Sequence, residues 1–236
     1  IVTPSHWLAD CAGESALMAG WPIEAIPYPL DLRAFAPVET AMAREFLGLP
    51  SDKKLVVFGA LGGGRNYVKG FDLLLEALGH LRGQRDDLEV VVFGQGEPRE
   101  PLDLGFPVHY TGHLHDDLSL RMVYSAADVM VVPSRTDNLP NTAIEAHACG
   151  TPVVAFDATG LRDIVTHQKT GYLAQPYDPT DLAQGIAWTL THNPTPQSPL
   201  SQAARAKAER EYDPVRVAEE YVRVYREAMG AERGGS

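Results

Sequence analysis

Four short, unbroken apolar runs constrain this chain more than any other feature: KLVVFGA (54–60), LEVVVFG (88–94), DVMVVPS (128–134) and TPVVAF (151–156). Continuous Val/Phe-rich runs of this length mark strands buried on both faces, the kind found in parallel sheets. The stretches between them have helical periodicity. FDLLLEALGHL (71–81) places Leu74, Leu75, Leu78 and Leu81 on one stripe, and HDDLSLRMVYSAA (115–127) reads as a second helix. PVHYTGHL (107–114) and TGYLA (170–174) add short strands, with a short helix near Leu161–Val165. DPTDLAQGIAWTLTH (178–192) opens on Asp178 before Pro179, an N-cap signal followed by a proline suited to the first turn. Strand–helix alternation requires right-handed crossovers and a sheet covered on both sides. The expectation is an α/β fold over 53–195, a Rossmann-like parallel sheet with helices on both faces. Ligands of such sheets lie beyond the carboxyl ends of the strands. Here those are the loops after Phe58, Phe93, Gly112 and Ser134.

The flanks read differently. IVTPS and HWLADCAGESALMAG look like one strand and one helix, too little for a domain. The opening lacks an initiator Met and is strand-like from its first residues, so residues 1–25 are expected to be the remnant of a preceding unit. IPYPLDLRAFAPVE is proline-rich, and 26–52 reads as an interdomain linker. Residues 196–236 are expected to form C-terminal helices. Among these AEEYVRVYREAM (218–229) is amphipathic, with Tyr221, Val222 and Tyr225 on a stripe that needs a partner surface. No apolar run approaches the ~18–20 residues of a membrane span, and the N-terminus lacks the layout of a signal peptide. A formal charge of −11 argues against nonspecific binding to nucleic acid or anionic lipid, so an anionic ligand would need local donors. Cys11 and Cys149 are isolated and suggest a reducing compartment.

Two stretches could carry chemistry. In GALGGGRNYVKGFD (59–72), glycines follow a buried strand and precede Arg65, Lys69 and a helix start at Gly70–Phe71. Glycine-rich backbone approaches phosphate closely, helix N-termini favour anions, and Lys and Arg add charge-assisted bonds. The order is neither G-x-G-x-x-G nor a P-loop; a surface loop with two solvated cations remains the alternative. In PSRTDNLPNTAIEAHACGTPVVAF (133–156), Pro140 at the first helical position and Gly150 just past the end bracket a helix. Asp137 precedes that helix and Glu145 lies inside it, with free N–H groups expected near Asn141, Thr142 and Ala143. Carboxylates at both ends suit hydroxyls, and the helix start between them suits a diphosphate; a nucleotide sugar has this layout. Asp137 as a helix cap and Glu145 as a solvated residue are the alternatives. The small and apolar neighbours of Glu145 count against the second, because a buried carboxylate needs a partner. His109, His113 and His115 have no Cys or paired carboxylates nearby to complete a metal shell. No metal site and no bound cofactor are expected.

Taken in order, LVVFGA…VKGFDLLLEAL, EVVVFGQGEP, YTGHLHDDLSLRMVYSAADVMVVPS, DNLPNTAIEAHACGTPVVAFDATGLRDIV and HQKTGYLAQPYDPTDLAQGI resemble the donor-binding half of a GT-B retaining glycosyltransferase of family four. The resemblance covers roughly 54–193, and IPYPLDLRAFAP is similar to the family's proline-rich hinge. It implies that residues 1–25 end a missing acceptor domain and that 196–236 pack back toward that domain. The family's paired acids fall on Asp137 and Glu145, for donor-sugar and ribose hydroxyls respectively. Lys69 matches the phosphate-binding lysine. Arg65 is the candidate companion arginine, beside Gly63 and Gly64. Backbone N–H groups of Leu139–Thr142 (Leu139, Pro140, Asn141, Thr142) would meet the diphosphate or the sugar. The Asn138-Leu139-Pro140 run replaces the usual Gly-Phe-Gly and bears on sugar preference. Base contacts would come from loops containing Gly94, Gly96, His113 and Leu114. The implied activity is transfer of a sugar from a nucleoside diphosphate, UDP-type, to an acceptor hydroxyl with retention and without a metal, in polysaccharide, glycolipid or glycoconjugate synthesis. The acceptor, a glycan or lipid-linked sugar, would be held by the missing domain, which could also associate peripherally with a membrane. The implied location is the cytoplasm. A nucleotide-sugar-binding module without turnover, and a GT-B epimerase or phosphorylase, are the alternatives.

Overall fold

The computed structural model describes residues 1–59, 66–98, 103–195 and 197–231. The chain opens with β1 (Val2–Thr3), α1 (His6–Glu14) and β2 (Glu24–Ala25), and the two strands pair in parallel. β2 is an addition to the sequence reading: two residues, one of them charged, leave no apolar run to detect. α2 (Thr40–Leu47) then lies inside the stretch read as linker. The main elements follow as β3 (Lys54–Gly59), α3 (Phe71–Leu81), β4 (Leu88–Phe93), β5 (Val108–Tyr110), α4 (Asp117–Ala126), β6 (Val129–Val132), α5 (Asn141–Ala148), β7 (Val153–Phe156), α6 (Leu161–Ile164), β8 (Gly171–Ala174) and α7 (Pro179–His192). α8 (Pro199–Glu211) and α9 (Pro214–Ala231) end the described chain. None of the described helices is long and apolar enough to cross a membrane.

Six strands form one sheet in the order β5-β4-β3-β6-β7-β8, every pair parallel. The order runs outward in one direction from β3 and in the other from β6, so the sheet reverses between them. Alternation along the strands divides the core. Val56, Phe58, Val90, Val92, Val129, Val131 and Val154 face α3 and α7. Leu55, Val57, Val91, Met130, Val132 and Val153 face α4 and α5. At β3 the crossover goes to the first face and at β6 to the second, which opens a crevice at their carboxyl ends.

Polar anchors bind the flanks to this domain and to one another. Asp128, just before β6, accepts from Arg44 Nη2 of α2 (2.8 Å), Lys54 Nζ (2.8 Å) and the Leu55 amide (2.8 Å). Arg205 of α8 donates to the Ala148 carbonyl at the end of α5 (2.6 Å) and to the Phe35 carbonyl (2.7 Å). Arg223 of α9 pairs with Glu24 of β2. α8 also contributes Ala208 to the core, joined by Tyr212 just after it, whereas α9 leaves Val215, Val222, Tyr225 and Met229 exposed. The amphipathic stripe expected at 218–229 thus exists without a cover among the described residues.

Candidate functional site

The crevice between β3 and β6 is where the two suspected segments meet. After β3, a 3-10 turn (Tyr67–Lys69) ends at Gly70, whose φ is 65°. A Cβ at Gly70 would lie 1.9 Å from the Pro133 carbonyl oxygen, so only glycine lets this turn lie against the end of β6. That contact delivers Lys69 across the switch point: its Nζ donates to Asp137 Oδ2 at 2.7 Å. Ser134 Oγ donates to the same oxygen at 3.2 Å. Lys69, Ser134, Asp137, Thr142, Gly59 and Phe93 line one small cavity there.

α5 begins one residue later than its sequence suggests. Pro140 is the N-cap, with ψ 119°, and not the first helical residue. Its carbonyl accepts from the Ala143 amide (3.1 Å), so Ala143 is not one of the free donors expected. The Asn141 and Thr142 amides have no backbone acceptor among the described residues. They therefore form the anion-favouring end of the helix. At the other end, the Gly150 amide donates to His147 O (2.9 Å) and the Thr151 amide to Ala146 O (2.8 Å), a Schellman closure.

Glu145 is half-buried one turn into α5, and its Oε2 accepts from the Tyr124 hydroxyl at 2.7 Å. Burial pushes its carboxyl above the usual range; the Tyr124 bond opposes this and the Asp117 charge adds to it. Tyr124 is buried, and burial raises its hydroxyl well above the ordinary value. The Tyr124 ring meets the Phe93 ring edge-on at 5.6 Å, which connects Glu145 to the wall of the cavity.

The remaining candidates divide. Asn138 faces away from the cavity: its Oδ1 accepts from Ser5 Oγ at 2.6 Å, while its carbonyl is pressed against Gly160. Leu139 buries its side chain in the core, and Pro140 has no N–H to offer. Gly94 and Gly112 join the ends of β4 and β5, with the Gly94 amide donating to Gly112 O (2.9 Å). Gly96 and His113 are exposed beyond them, and His113 stacks on His115 at 6.2 Å. Leu114 packs against the core. His109 pairs with Glu89 at 2.6 Å. Gly63, Gly64 and Arg65 lie outside the described residues. Sequence reasoning missed Tyr124, Ser134 and Gly160; only Gly160, directly before a short helix, carries a local signal.

A roomier groove of about 530 Å³ lies behind Leu139, lined by His6, Asp163, Arg210, Arg216 and Glu220. Its cations already contact carboxylates, in Lys207–Glu211, Arg210–Glu211 and Arg216–Glu220 pairs, and His6 lies beside Asp163. The cavity between β3 and β6 is the better candidate because an amine, a carboxylate and Thr142 at the open start of α5 line it together.

A doubly wound parallel sheet in this strand order, with a crevice at its switch point, defines the Rossmann-like class of α/β domain. Within that class, residues 52–192 match the family described as glycosyl transferases group 1, and the chain belongs to that family. A D-inositol 3-phosphate glycosyltransferase from Saccharomonospora viridis is 34% identical over 225 residues, 87% of this chain and 50% of the relative. The enzyme of the same description from Xylanimonas cellulosilytica is 34% identical over 205 residues, 80% of this chain and 47% of the relative. The chain thus spans about half the length of these curated relatives. Among solved structures, sucrose-phosphate synthase from Thermosynechococcus elongatus superposes with a TM-score of 0.80 at 27% identity, covering 98% of this chain and 58% of that one. HepE from Anabaena, in complex with UDP and glucose, superposes with a TM-score of 0.73 at 20% identity, covering 95% of this chain and 62% of that one. The fold is the C-terminal, Rossmann-like half of the GT-B architecture.

Proposed function

We propose that this chain is the donor-binding part of a retaining glycosyltransferase that moves a hexosyl unit from a nucleoside diphosphate to an acceptor hydroxyl. The observation that carries the reading is the meeting of Lys69 and Asp137 across the switch point, beside the open amides of Asn141 and Thr142. Lys69 and the helix end neutralise the diphosphate as the bond from the sugar C1 to the β-phosphate oxygen breaks. The acceptor oxygen bonds to C1 on the same face, and its proton passes to the departing phosphate oxygen. Asp137, released from Lys69 when phosphate takes that ammonium, accepts from donor-sugar hydroxyls. Glu145, with one oxygen held by Tyr124, accepts from ribose hydroxyls through the other.

UDP is the first nucleotide to try, because the HepE structure holds UDP and glucose. D-inositol 3-phosphate is the first acceptor to try, because the relatives bear that name. Acceptor binding we assign to the part of the relatives' length that this chain does not span. A polysaccharide, glycolipid or glycoconjugate is the product class, and the cytoplasm its place, consistent with the free Cys11 and Cys149. Calorimetry with UDP, GDP and ADP tests the reading: one should bind this chain, and no binding of any at millimolar concentration ends it. Transfer activity that returns when the rest of a relative's length is supplied separates an enzyme part from a binding module.

A further inference from the structure

Lys69 and Asp137 sit on different segments, so the bond between them is only as well defined as the spacing of those segments. Arg135 spans that spacing. Its amide donates to the Val68 carbonyl at 2.8 Å, and its Nη1 donates to the Tyr67 carbonyl at 2.8 Å. The guanidinium lies 3.9 Å over the centroid of the Tyr67 ring. It also grips Asp72 with both prongs, Nη1 to Oδ1 at 2.7 Å and Nη2 to Oδ2 at 2.6 Å. Tyr67 precedes Lys69 and Asp72 follows it, so one side chain holds both ends of the turn that presents the ammonium. On the opposite side the Tyr177 hydroxyl donates to the Arg135 carbonyl at 3.0 Å, which fixes its backbone.

This placement sets Arg135 apart from a phosphate ligand. Its side chain is 15% exposed against 48% for Lys69, and its planar fork is already committed to a carboxylate. Arg135 lies two residues before Asp137, so any freedom of its backbone is freedom of the acid as well.

We propose that Arg135 is a positioning residue that sets the distance from Lys69 to Asp137, and through it the fit of a nucleoside diphosphate sugar; this rests on the site reading above. Two arms test it on the full chain. In the first, amide hydrogen exchange without ligand compares wild type with Arg135→Gln. Exchange should quicken about tenfold at both 67–70 and 135–138 while the cores of β3 and β6 keep their protection. Unchanged exchange in either segment overturns the proposal. In the second, calorimetry with UDP, GDP and ADP should show a roughly fivefold loss for Arg135→Gln, shrinking below about twofold in a Lys69→Ala background. An equal loss in that background means Arg135 acts independently of Lys69, and the proposal falls. Should the wild type bind no nucleotide, the functional reading fails while the exchange arm still decides the bracing. Asp72→Asn, which removes the exposed half of the pair, supplies both arms if Arg135→Gln does not fold.

Discussion

Gly160→Ala is the most demanding test of how the loop carrying Asp137 is held. Gly160 has an ordinary helical φ of −71°, so alanine suits its backbone. The obstacle is space: a Cβ there would stand 1.3 Å from the Asn138 carbonyl oxygen and 2.4 Å from its carbon. Restoring an ordinary 3.4 Å contact requires the loop or α6 to retreat by about 2 Å. Such a shift strains the Gly160 amide bond to the Asp137 carbonyl, now 3.0 Å, and moves the carboxylate that meets Lys69. Overpacking of this kind costs about 1–3 kcal/mol and the lost hydrogen bond about 1 more. Together these predict a fall in Tm of about 5–10 °C for a chain of this size. On the proposed function, nucleotide-sugar affinity in the folded protein should drop about tenfold and sugar transfer on the order of a hundredfold, because displacement of about 1 Å is enough to spoil a reacting geometry. Differential scanning fluorimetry and calorimetry read both quantities. Gly79→Ala is the control, since a Cβ there meets nothing within 4 Å in the last turn of α3; it should stabilise by about 0.5 kcal/mol. If Gly160→Ala melts and binds like wild type, the Asn138 carbonyl is not an anchor and the account of the loop is wrong.

Other outcomes follow from the same geometry. Lys69→Ala should weaken nucleoside diphosphate binding about ten- to hundredfold by calorimetry. It should change stability by less than about 1 kcal/mol in denaturant, because the Lys69 side chain is half open to solvent and Asp137 keeps its bond from Ser134. Glu145→Gln should melt higher than wild type at neutral pH yet bind nucleotide less well. A carboxyl raised by burial contributes stability below the ordinary glutamate range and loses it as pH rises through the folded value, so the Tm advantage of the variant should disappear in acid. An advantage that grows on acidification would contradict the burial argument. Asp128→Ala should cost about 3–5 kcal/mol, measured by urea unfolding, because it strands the buried Arg44 guanidinium. Nucleotide affinity of its folded fraction should hold, since Asp128 lies at the amino end of β6, away from the crevice.

The strands and the helices facing them were legible because burial on a parallel sheet writes itself as unbroken Val/Phe runs and leucine stripes; α3 spans Phe71–Leu81 as read. β2 and α2 left weaker marks. A two-residue strand has no periodicity, and TAMAREFL follows a proline-rich stretch while exposing Met42 and Phe46. The shift at Pro140 is one of chemistry at a boundary, where proline suits both the cap and the first turn. Lys69 and Asp137 could be named from sequence, but not their contact, since 68 residues separate them and only the reversal of strand order brings them together. Tyr124 under Glu145 and Ser5 against Asn138 are long-range partners of the same sort, invisible to any local pattern.

The grip of Arg205 on α5 has a practical reach. The stretch matching the family ends at residue 192, yet the last turn of α5 is held by a side chain thirteen positions further on. A recombinant piece trimmed to the matched stretch would lose that cation, along with Ala208 and Tyr212 from the hydrophobic interior. The Ala148 carbonyl at the end of α5 would then lose its cation beside an open patch. The smallest unit worth expressing for ligand work therefore extends through Tyr212, well past the end of the stretch that matches the family.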